Sequence, residues 1–169
     1  MGFLSSLLTI EIPHRIVATQ AKDYCIRLSV SDTEINLMNK LQLDKEKFVY
    51  ARNAFFIKLF NNTFEYYSDQ TVNKPNATIQ QAHSFFQQRL MEYHSSAPES
   101  EQTKMGNYFS LLITRFDLNA STERLYFGTT GMELDSLSPD LQTELNEVVQ
   151  GYIPEVASFF KKNLPKLLR

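Results

Sequence analysis

A chain of 169 residues with 17 basic and 19 acidic side chains is long enough for one self-sufficient domain, and its net charge of −2 excludes any global excess that would direct it to nucleic acid or an anionic membrane. A hydrophobic content of 43%, with 13 Phe and 8 Tyr, excludes an unfolded chain, and the small allotment of 5 Gly suits helices better than a turn-rich β fold. The single cysteine, Cys25, excludes an intramolecular disulfide and fits a reducing compartment, so the cytoplasm is the expected location.

The N-terminal arm, residues 1–20, opens with an apolar stretch that has no basic start and no small-residue cleavage site, so it is not expected to be a signal peptide. Met1 to Ser6 fits the loose myristoylation pattern, which the bulky Phe3 beside Gly2 opposes. Phe3, Leu4, Leu7 and Leu8 are instead expected to form a short amphipath that packs on the domain or anchors a partner. No run approaches the roughly 18 apolar residues that a membrane span needs.

Tyr24, Ile26, Leu28 and Val30 alternate with Cys25, Arg27 and Ser29, which predicts a short half-buried strand. Ser31-Asp-Thr-Glu34 then has capping-box spacing and predicts a helix over about Asp32–Leu41. Asp44 caps a second helix, Lys45–Tyr67, whose Phe48, Phe55, Phe56, Leu59, Phe60 and Phe64 wrap more than one face; it is expected at the centre of the domain. Ser68–Ala77 is polar and Pro-containing and predicts a loop. Thr78-Ile-Gln-Gln81 is a second capping-box match, opening a helix that ends near Ser95.

Pro98, with Glu99 and Glu101, starts a helix striped by Met105, Phe109, Leu112, Ile113 and Phe116; Tyr108–Leu118 alternatively forms one arm of a hairpin that turns at Asn119–Thr122. The pattern lapses from Asn119 to Leu137, where Gly128-Thr-Thr-Gly131 marks a turn. Ser138-Pro139-Asp140 starts a last helix, which Gly151 and Pro154 are expected to break or kink, Val156–Lys162 to resume and Pro165 to end. Between Phe116 and Glu155 every charged side chain except Arg124 is acidic, whereas residues 156–169 carry Lys161, Lys162, Lys166 and Arg169 and no acid. This basic amphipathic end fits either complementarity with the helix dipole or a docking tail using Lys161 and Lys162.

The expected fold is therefore mainly α, a single-domain irregular bundle of five to seven helices around Lys45–Tyr67, with at most one short strand or hairpin. No phosphate loop, dinucleotide fingerprint, nucleophile elbow or zincin motif is present. His83 and His94 fall on one helix face but about 16 Å apart along the axis, too far to share a metal, and Glu11-Ile-Pro-His14 carries Pro13 where a helical Glu-x-x-His ligand pair cannot. Cys25 is expected to be a small buried side chain rather than a nucleophile. No catalytic residue, cofactor or metal is expected.

Tyr24–Val30, the capped Ser31–Glu34 helix, Asp44 and the helix around Phe48–Phe55 together resemble the strand-helix-helix unit of ribbon-helix-helix DNA-binding proteins. The resemblance covers residues 24–58 and lacks the glycine usual between the two helices. It implies a dimer whose paired strands enter the major groove, with Arg27 and Ser29 reading bases. Three readings of function follow: a non-enzymatic helical protein that interacts with or regulates another protein through its terminal amphipaths, a ribbon-helix-helix DNA-binding dimer, or a helical bundle holding a small apolar ligand among its Phe and Tyr side chains.

Overall fold

The computed structural model describes residues 12–69, 77–111 and 118–168. Among these, 87% are helical, in seven α-helices and no strand. The helices are α1 (Pro13–Cys25), α2 (Asp32–Leu41), α3 (Lys45–Asp69), α4 (Ala77–Ser96), α5 (Glu99–Leu111), α6 (Leu118–Thr130) and α7 (Pro139–Leu167), with one 3-10 turn at Leu134–Ser136. The chain is an all-α bundle. None of the described helices is long and apolar enough to cross a membrane.

Helix α3 lies at the centre, in contact with α1, α4, α5, α6 and α7. Every side chain from Ala51 to Ile57 is buried, so the helix has no solvent face through its middle, as its breadth of apolar residues requires. Buried apolar residues of α1, α4 and α7 pack with it in one core. Phe60 shows the density of the result: its ring lies 5.5 Å from Phe160, 6.0 Å from Phe86 and 5.0 Å from Phe159, edge-on to the last.

Local signals explain several helix starts. Ser31 accepts from the Glu34 amide at 3.2 Å while Glu34 accepts from the Ser31 amide at 2.7 Å, the reciprocal box that the spacing predicts. Asp44 accepts from the Lys47 amide at 2.9 Å, and Pro139 occupies the first position of α7. Thr78 lies inside α4, which begins at Ala77.

Two expectations are corrected, and one alternative is set aside. The strand over Tyr24–Val30 does not form. Tyr24 and Cys25 complete α1, and the rest is a connection that leaves Leu28 73% exposed. The alternation was outweighed by a helical stripe, Val17, Ala18, Ala21 and Cys25, which buries completely as α1 packs along α4. Pro13 sits at the start of that helix, where its missing N–H costs nothing.

For the segment after Pro98 the helix, not the alternative hairpin, is what the described residues show: 108–111 belong to α5 and 118 to α6. Asn119–Thr122 belongs to α6, which stops where Gly131 adopts φ 73°, a left-handed conformation that favours glycine. Residues 112–117 of that segment lie outside the described residues. Finally, α7 runs through Gly151, Pro154 and Pro165 to Leu167. All three positions are exposed, as is Gln150, whose carbonyl Pro154 leaves without an intrahelical amide partner.

Phe60→Ala is expected to cost about 3–5 kcal/mol in urea unfolding, whereas Leu28→Ser should change stability by no more than about 0.5 kcal/mol.

Candidate functional site

One charged residue, Arg52, is buried along the length of α3, beside the polar Asn53. Arg52 is 0% exposed and faces Glu34, 2% exposed, at 3.2 Å. A buried guanidinium must fill its donors, and this one gathers groups from several segments. Its Nη1 donates to the Ser29 carbonyl at 2.8 Å and to both Glu34 oxygens, while Nη2 donates to the Arg27 carbonyl and to Asn53 Oδ1 at 3.1 Å. Tyr152 of α7 donates its hydroxyl to Glu34 Oε1 at 2.8 Å. Arg52 Nε is buried without a hydrogen-bond partner among the described residues.

This knot joins the 26–31 connection, α2, α3 and α7. It also sets the protonation of its members. Burial acts to raise the Glu34 carboxyl, but the Ser31 amide, the Arg52 charge and the Tyr152 hydroxyl overcome it and hold the group below its ordinary value. Burial, with the Glu34 charge, pushes Tyr152 well above the usual phenol range.

Above the knot, α7 forms one wall of two open grooves that meet at Glu155. The first, about 420 Å³, lies between α2 and α7 and is lined by Thr33, Glu34, Glu144, Glu147, Gly151 and Tyr152 among others. The second, about 550 Å³, lies beside α1 and is lined by Tyr24, Pro154, Ser158, Phe159 and Lys162. Some of their charges are already held within the chain. Lys40 grips Glu144 at 2.7 Å, and Glu155 accepts from Tyr24 and from Arg27 at 3.1 Å. Burial and the Glu155 acceptor push Tyr24 up to about 12.

The exposed face of α7 between these grooves is polarised. Glu147, Gly151, Pro154, Ser158, Lys161 and Lys162 recur at three- and four-residue steps and are all exposed. Their stripe lies opposite the buried Leu145, Val149, Tyr152, Val156 and Phe160. Its middle is made of small or short side chains, with acid toward one end and base toward the other. Glu147, Lys161 and Lys162 make no ion pair with any described residue.

The residues singled out from sequence are thus dispersed. Lys161 and Lys162 sit together on the outer face of α7, while Phe3, Leu4, Leu7 and Leu8 lie outside the described residues. Arg27 is half-buried, ion-paired to Glu155 and stacked 4.4 Å from the Tyr24 ring and 4.8 Å from that of Phe56, and Ser29 is exposed with its carbonyl held by Arg52. The ribbon that the DNA-binding resemblance needs is therefore not present as a strand, and its base-reading arginine is spent on the fold. His83 stacks on Phe64 and meets Asn61 Oδ1 at 2.8 Å, and His94 meets the Gln102 carbonyl at 3.2 Å. Cys25 is fully buried, which pushes its thiol up and leaves it a packing group. The core aromatics pack on one another, and the apolar groove at Ile57, Leu90 and Met91, about 470 Å³, opens at the surface.

Sequence reasoning missed Arg52. Its signal was available: an arginine one turn from both Phe48 and Phe56, in a helix apolar all round, has no solvent to reach and requires a carboxylate.

No family model matches the chain, and no match is found among curated proteins or solved structures.

Arg52→Met is expected to lower stability by about 3–5 kcal/mol because it strands the Glu34 charge, and Arg52→Met with Glu34→Leu should recover much of that loss in a double-mutant cycle read by urea unfolding. Because the folded Glu34 carboxyl lies below its unfolded value near 4.3, its contribution is present at neutral pH and lost as pH falls through the folded value. Thermal unfolding from pH 7 to pH 3 should show that loss, and Glu34→Gln should flatten the acid limb.

Proposed function

We propose that this is a non-enzymatic helical interaction protein whose docking surface is the outer face of α7 and the grooves beside it. The observation that carries the reading is the polarised stripe on that helix. Gly151, Pro154 and Ser158 let another helix approach closely, and Glu147, Lys161 and Lys162 stand exposed with no ion-pair partner in their own described chain.

Charges of this kind contribute little to stability where they stand, since exposed ions interact weakly with the rest of their own fold. They acquire a use when a complementary surface covers them and excludes water. The small residues between them support the same reading, because a Cβ added at Gly151 meets nothing within 4 Å, so the open space there is room for something other than the chain's own side chains. The basic C-terminal amphipath noted in the sequence contributes Lys161 and Lys162 to this surface. The knot beneath it supplies rigidity: Tyr152 is buried one residue from Gly151 and fixed to Glu34.

Site-specific photo-crosslinking tests the reading. A benzophenone side chain replacing Gly151 or Ser158 in cells that make the protein is expected to yield discrete adducts of higher mass, while the same group at exposed Asn39 or Glu65 should not. Absence of adducts from both α7 positions, or equal adducts from all four, would overturn it.

A further inference from the structure

Helix α7 is complementary to itself. Its outer stripe has near-twofold character about Pro154: Glu147 lies about two turns before that residue and Lys161 about two turns after it, with Gly151 and Ser158 about one turn to either side. Resting on the docking surface proposed above, we propose that its occupant is a second copy of this chain, with the two α7 helices antiparallel across a twofold axis at Pro154.

The charge pattern selects this arrangement over others. In the antiparallel pair, Glu147 of each copy meets the Lys161 and Lys162 end of the other, so one contact is made twice, as an isologous interface requires. A parallel pair would set Glu147 against Glu147 and lysines against lysines, which repel. At the centre, Gly151, Pro154, Ala157 and Ser158 present only short side chains, all exposed, and two helices can approach there to the distances of well-packed pairs. The neighbouring carboxylates do not compete for the lysines, since Glu144 is bound by Lys40 and Glu155 by Tyr24 and Arg27. The α7 helix of 29 residues extends beyond both charge pairs, so the contact lies wholly within one helix.

Native mass spectrometry and sedimentation of the whole chain test the proposal. The wild-type protein is expected to be a dimer at micromolar concentration that weakens as salt is raised. Glu147→Lys makes every charge of the pair positive, Lys161→Glu with Lys162→Glu makes every one negative, and each variant alone should dimerise at least about tenfold more weakly. Mixing the two should restore a heterodimer, because each then presents the opposite sign to the other. All three positions are exposed and outside the knot, and helical circular dichroism should be unchanged.

A wild type that stays monomeric to about 100 μM, or variants that dimerise as wild type does, would overturn the homodimer. The crosslinks separate this failure from that of the docking surface. Adducts at twice 19.6 kDa support the self-pair; adducts of another mass with a monomeric wild type reject the self-pair and keep the surface; no adduct rejects both.

Discussion

The buried guanidinium of Arg52 is the constraint from which much of this structure follows. Removing such a charge from water costs several kcal/mol unless it is paired and its donors are filled. Helix α3 has no solvent face at that level, so the partners must come to it. They do so from three directions: the extended connection brings the carbonyls of Arg27 and Ser29, α2 brings Glu34, and α7 brings the Tyr152 hydroxyl to complete the carboxylate. Apolar packing sets how closely the helices approach; this knot sets which part of α2 and of α7 stands beside the middle of α3.

Glu34 serves two structures at once. It closes the capping box that starts α2, and it neutralises Arg52. A carboxylate has enough acceptor sites for both, with one left for Tyr152. The start of α2 is thus fixed in space as well as in sequence.

The two sides of α7 obey different demands. Its inner side, Tyr152 to Phe160, joins the aromatic core through contacts such as Phe56 with Tyr152, ring centres 4.8 Å apart. The outer side is free of packing requirements and carries Gly, Pro and charge. Pro154 and Pro165 lie within the helix on this side, both at exposed positions. The surface proposed for docking is therefore the part of the helix that the fold does not itself use, supported from below by the part that it does.

What the sequence by itself determined were features whose causes are local. The Ser31–Glu34 box, the Asp44 cap and the Ser138-Pro139 start are written in a few adjacent residues, and the central place of α3 follows from Phe side chains on every side of one helix. Local patterns failed where two of them overlapped. Alternation from Tyr24 to Val30 pointed to a strand, yet the stripe from Val17 to Cys25 had a whole helix, α4, to bury against, while the strand had no described neighbour to pair with. Lys161 and Lys162 were visible as a basic end, but not as one pole of a stripe, because that requires α7 to continue through Gly151 and Pro154. Only the tertiary structure decided that continuity, and only it paired Arg52 with Glu34 and Glu155 with Arg27. A charge finds its partner by distance in space, and residues 18 and 128 positions apart become neighbours only when helices between them have packed.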